Sequence, residues 1–127
     1  MLLLLIACTP APDSAVEVFD FEPTFPNVQE QIFDVSCAFS GCHGEGRGSA
    51  SLSLYSGASY QDIVNVASSQ VPELFRVLPG DPDNSYLVMK LRDDPDIEKK
   101  SMPDGNPLSD ARVQLVVDWV AGGALPN

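Results

Sequence analysis

Two thiols and one imidazole hold most of the chemistry available to this chain. Cys37 and Cys42 are separated by Ala38, Phe39, Ser40 and Gly41, and His43 follows the second cysteine directly. Two thiols can add to the two vinyl groups of a porphyrin. A histidine next to the second is then carried beneath the ring with a nitrogen aimed at the iron, so one loop gives both covalent anchorage and ligation. The common spacing has two intervening residues and this chain has four. Phe39, Ser40 and Gly41 must therefore loop outward for Cys37 to reach its own vinyl, helped by the backbone freedom of Gly41. The same pair admits a structural or a redox-active disulfide between Cys37 and Cys42. Zinc takes four ligands, and the chain has one histidine and no second cysteine pair.

The third cysteine has a different context. Residues 1–8, Met1-Leu2-Leu3-Leu4-Leu5-Ile6-Ala7-Cys8, end in a run that resembles the lipobox at which bacterial lipoproteins are cleaved and the new N-terminal cysteine is acylated. The stretch is shorter than the roughly 20 apolar residues that span a bilayer and lacks a basic n-region and a full apolar h-region. The expectation is a start codon further upstream and a mature chain that begins at acylated Cys8. Thr9 in place of an acidic residue after that cysteine favours the outer membrane. One cysteine then serves lipid and two serve haem, and export suits covalent haem, which is attached outside the bacterial cytoplasm.

With 127 residues and 44% hydrophobic content the chain suits one domain with a modest core. A formal charge of -11 argues against nucleic acid and against adsorption to anionic lipid, which leaves membrane association to the lipid anchor and suits a basic docking partner. Residues 9–26 carry Pro10, Pro12, Pro23 and Pro26 with Asp13, Glu17, Asp20 and Glu22, a composition that predicts an extended tether. At about 3.1 Å per residue it reaches on the order of 50 Å. Val16, Val18, Phe19, Phe21 and Phe25 predict that part of it lies against the domain that follows, residues 27–127.

Within that domain Asn27 is the expected cap of a first helix, with Glu30 three residues on and Val28, Ile32 and Val35 on its inner face, running into Cys37. Gly44, Gly46 and Gly48 read as a flexible loop, and Leu52 and Leu54 as haem-covering or core residues. A short helix is expected from Ser59, with Asp62 three on and Ile63 with Val66, or Val64 with Ala67, buried. Asp81 and Pro82 are expected to open a helix through Leu91, with Leu87 and Leu91 inward. Residues 93–107 form a long loop that holds Lys99-Lys100-Ser101-Met102-Pro103. Ser109 is expected to cap a final helix carrying Val113, Leu115, Val116, Trp119 and Val120, closed by Gly122-Gly123 and packed on the first helix.

The sequence resembles the monohaem class I cytochromes c, in particular small exported bacterial cytochrome c-like domains. The residues that carry the resemblance are Cys37, Cys42 and His43, the Pro79-Gly80-Asp81-Pro82-Asp83-Asn84-Ser85 segment, Met102-Pro103, and Asp118-Trp119-Val120-Ala121-Gly122-Gly123-Ala124. It implies an all-α, cytochrome c-like fold of four to five short helices around one covalently bound haem c, with His43 the proximal and Met102 the distal iron ligand. With the only histidine used, a thioether is the donor that raises the potential of a haem carrier. Met89 is the rival, at a position that also reads as core. Pro103 restricts the backbone of Met102.

The expected function is one-electron transfer, without enzymatic activity, on the periplasmic side of a bacterial envelope, with redox proteins as partners. The alternatives are a haem enzyme or gas-binding protein with an open distal site, and a haem-free lipoprotein with a disulfide. Lys99 and Lys100 either offset the haem propionates or form a solvated pair that answers Asp93, Asp94, Asp96 and Glu98.

Overall fold

Thr24, rather than Asn27, opens the first helix. Its hydroxyl oxygen accepts from the Asn27 amide at 3.4 Å, and Pro26, with no amide proton to satisfy, sits in the first turn. Asn27 is inside the helix and turns its side-chain amide back to the Glu22 carbonyl at 3.0 Å. The structure, a computed structural model, describes residues 19–45 and 49–127. Cys8, the lipobox and residues 9–18 of the tether lie outside the described residues.

This first helix is continuous through α1 (Phe25–Val28), a π-helical stretch (Gln29–Phe33) and α2 (Asp34–Ser36). A π turn holds more residues than an α turn, so the inward face drifts along the sequence. Val28, Ile32 and Phe33 are buried, whereas Val35, which a regular 3.6-residue period places inward, is 54% exposed. The slower winding turns Cys37 toward the core in its place.

Three further helices complete the described chain: α3 (Ser59–Ile63), α4 (Tyr86–Arg92) and α5 (Asp110–Ala121), with 3-10 turns at Ser49–Ser51 and Pro82–Asn84. Among the described residues there is no strand, only isolated bridges joining Val64 to Val77, Ala67 to Phe75 and Phe75 to Ser85. The protein is therefore a small, mostly helical domain. No described helix is long and apolar enough to cross a membrane.

Two helices are shorter than their sequence signals suggest, and both yield to the 64–77 segment. Ala58 precedes α3, and Ser59 is its first residue, with a buried hydroxyl that donates to the Gln29 side-chain oxygen. After Ile63 the backbone extends at Val64 and turns left-handed at Asn65, whose amide donates to the Val77 carbonyl at 2.9 Å. Val66 and Ala67 consequently leave the helix. Asp81 does cap, accepting from the Asn84 amide at 3.3 Å, yet only the 3-10 turn follows. Ser85 is extended because its hydroxyl is committed to the Leu78 amide at 2.8 Å and the Asp81 carbonyl at 2.9 Å, while the Tyr86 amide donates to Phe75. The α-helix restarts at Tyr86.

α5 follows its sequence period, with Leu115, Val116, Trp119 and Val120 buried, and it packs on both α1 and α4. Burying each such large apolar side chain contributes roughly 1.5–3 kcal/mol relative to exposure. Phe25, Tyr60 and Trp119 form an aromatic cluster at centroid distances of 5.1 to 6.4 Å. The Trp119 indole N–H and the Tyr60 hydroxyl donate to the Leu125 and Ala124 carbonyls, fixing the C-terminal turn. Phe19 packs on the core with its ring 4.4 Å from the Arg112 guanidinium, so the end of the tether lies along α5.

Candidate functional site

The π stretch delivers the chain into the cysteine loop. The amides of Cys37 and Ala38 both donate to the Phe33 carbonyl, at 2.9 and 2.8 Å, and the helix ends there. The loop then closes on itself: the Cys42 and Gly44 amides donate to Phe39, and the His43 amide donates to Cys37 at 3.2 Å. Gly41 takes a φ of +86°, as a bend of this kind requires. Gly44, expected to belong to a flexible loop, is instead in close contact, since a Cβ there would lie 2.9 Å from the Phe39 carbonyl oxygen. Gly46 and Gly48 lie outside the described residues. Gly44→Ala is expected to force this loop open and to cost roughly 1–3 kcal/mol, read as a lower denaturation midpoint at unchanged slope.

The two thiols differ in environment. Cys37 is half-buried against the core, Cys42 is exposed, and both are free. Burial, with the neighbouring Cys42 as a lesser cause, pushes the Cys37 thiol up to about 12. In chain prepared without haem, iodoacetamide at mildly alkaline pH should therefore modify Cys42 well before Cys37, as peptide mapping will read.

His43 is buried, 9% exposed, and its Nδ1 lies 3.0 Å from the Leu52 carbonyl oxygen. A carbonyl only accepts, so Nδ1 carries the proton, and in the neutral ring Nε2 keeps the lone pair that a metal needs. The segment bearing that carbonyl is itself anchored on every side. The Leu54 amide donates to the His43 carbonyl at 2.8 Å, the Ser53 amide to Asp62 at 2.6 Å, and the Gln29 side-chain amide to the Leu54 carbonyl at 3.0 Å. Arg76 is buried, donates to the Asp62 and Ala50 carbonyls at 2.8 and 3.3 Å, and pairs with the Asp62 carboxylate at 3.5 Å. Leu54 belongs to the core and Leu52 packs partly against it. What Leu52 gives the site is its main-chain oxygen, a contribution with no side-chain signature in the sequence.

Met102 lies in the separate 93–107 loop, half-buried, with its amide donating to the Lys90 carbonyl at 2.9 Å. Met89 is buried within α4. Lys99 and Lys100 are exposed, and Lys100 stands 3.7 Å from Asp104, a solvated pair worth little.

Among the described residues no three or more His, Cys, Asp or Glu side chains gather into a group that could hold a metal ion. Cys37, Cys42 and His43 share one closed loop and Met102 lies on another, donor types that could hold a haem. The chain matches no protein-family model, no curated protein and no solved structure.

Proposed function

We propose that this chain carries single electrons outside the cytoplasm as a c-type haem protein. In this reading it has a cytochrome c-like fold around one haem c, which Cys37 and Cys42 would hold by thioether bonds and whose iron His43 and Met102 would ligate. The observation that carries the reading is the His43 geometry: an imidazole next to Cys42, in a loop closed on Cys37, with its Nδ1 proton committed to the Leu52 carbonyl. Cys37 and Cys42 would hold the group through two thioether bonds, each thiol S–H having added across one vinyl group. Once bound, the haem supplies a reversible one-electron couple.

The protein's own part is positioning. Leu52 holds the tautomer and the plane of His43, and Gly44 permits the tight loop that keeps His43 beside Cys42. With a single histidine in the sequence, no second imidazole serves as acid or base for peroxide chemistry. We therefore assign no enzymatic activity. The test is a visible spectrum, oxidised and reduced, of protein exported together with haem maturation factors. Low-spin haem c bands in both states, without peroxide or oxygen turnover, support the reading; a colourless protein refutes it.

The anchor proposal places the mature N-terminus at acylated Cys8, on the periplasmic side of the envelope and at the outer membrane. Mass spectrometry of the membrane fraction should find a lipid-modified Cys8 and no residues 1–7. The charge of -11 implies a basic redox partner, and exchange with one should slow as salt rises, because ions screen such steering beyond about 8 Å at physiological strength. Salt-independent rates in stopped-flow mixing would count against it.

A further inference from the structure

Lys90 is a buried lysine in the last turn of α4, 7% exposed, and among the described residues no acid lies within ion-pair distance of it. A buried ammonium is costly unless its protons are taken up. Here the acceptors are main-chain carbonyls of the following loop: Nζ donates to the Glu98 carbonyl at 2.8 Å and to the Lys100 carbonyl at 2.5 Å. Tyr86, one helical turn earlier, lies with its ring centroid 5.9 Å from the same ammonium. Its hydroxyl accepts from the Glu98 amide at 3.0 Å and donates to Gln70 at 2.7 Å. The Lys90 carbonyl then takes the Met102 amide at 2.9 Å. Residues 98, 100 and 102 are thus held in alternation by two residues a turn apart on α4.

We infer that Lys90 is the positioning residue for Met102, its buried ammonium, supported by Tyr86, holding residues 98–102 against α4 so that the thioether is presented from a fixed backbone. The inference rests on the haem reading for what Met102 does, but not for how the loop is held. A loop of this length with no helix or strand pays a large ordering entropy, which charge-assisted hydrogen bonds to carbonyls offset locally. Lys99 and Lys100, the basic pair that stands out in the sequence, point to solvent; the neighbouring lysine on the helix does the holding.

The experiment uses the full chain as purified, in three variants: Lys90→Leu, which removes every donor without adding a sulfur; Lys90→Arg, which keeps a cation with several donors; and Tyr86→Phe. Amide hydrogen exchange is read residue by residue. Lys90→Leu should speed exchange at Glu98 and Met102 by about tenfold or more while Leu115 and Val116 in α5 keep their protection, and Lys90→Arg should restore much of the lost protection. Tyr86→Phe should speed the Glu98 amide alone. In haem-loaded protein Lys90→Leu should also weaken the sulfur-to-iron charge-transfer band. Unchanged loop exchange in Lys90→Leu overturns the inference, as does faster exchange with the band at full strength. Should Lys90→Leu lose α5 protection as well, the Glu98 amide in Tyr86→Phe decides. A parent chain whose band does not depend on Met102 would refute the ligand assignment, while the exchange rates would still support or overturn the hold on the loop.

Discussion

Met102→Ala should abolish the sulfur-to-iron charge-transfer band of the oxidised protein, lower its reduction potential, and let carbon monoxide bind the reduced iron. The expectation follows from the donor inventory. His43 is the only histidine, so the proposal takes the Met102 thioether as the second donor, and a thioether favours the reduced state. Met102 is half-buried on a loop held to α4 at Glu98, Lys100 and Met102 itself. Met89 is the control. It is buried in α4, and Met89→Leu, a near volume-conserving swap, should keep the band and cost under about 1.5 kcal/mol. A band lost in Met89→Leu and kept in Met102→Ala would reverse the assignment.

The second large effect is expected at His43. His43→Ala removes the proximal donor and should eliminate most stable haem incorporation during export, seen as loss of colour per mole of chain. It also removes the part-buried hydrogen bond to the Leu52 carbonyl, worth about 0.5–1.5 kcal/mol. Single cysteine replacements should be milder. Cys37→Ala or Cys42→Ala leaves one thioether and a shifted reduced spectrum, because the remaining bond and the two axial donors still retain the ring.

The sequence was most legible where one local rule acted alone. Ser109 preceding a run with Leu115, Val116, Trp119 and Val120 at helical spacing marked α5, and long-range packing on α1 and α4 agreed with it. Where two rules competed, the outcome depended on tertiary partners. Asn27 with Glu30 resembles a capping box, but Thr24, with Pro26 in the first turn, caps α1 three residues before Asn27, and Asn27 goes to Glu22. Ser59 has the residue type of a cap, but its hydroxyl is taken by Gln29 from across the core. Asp81 caps as expected, and Ser85 interrupts the helix because its hydroxyl bonds back to Leu78 and Asp81.

The π stretch is the most consequential departure. No residue type in Gln29–Phe33 announces it, yet it sends Val35 to solvent and Cys37 toward the core. In the site itself, Cys37, Cys42 and His43 could be read from thiol and imidazole spacing alone. The groups that hold them could not: the Leu52 carbonyl is a backbone atom, Asp62 and Arg76 act on main-chain atoms of the 50–53 segment, and Lys90 holds the separate Met102 loop through main-chain carbonyls. Lys90 in particular carries no sequence signal of burial, and its ammonium is met by carbonyls of the loop that follows.

The central claim, that Cys37 and Cys42 hold haem through two thioether bonds, is tested most directly by the intact mass of the exported chain after denaturation and acidified organic extraction. Covalent attachment predicts that the colour stays with the polypeptide and that the mass exceeds that of the acylated chain beginning at Cys8 by one haem, with no free thiol left at Cys37 or Cys42. Colour extracted into the organic phase, or a chain that carries no haem mass and whose Cys37 and Cys42 are joined as a disulfide, would contradict it.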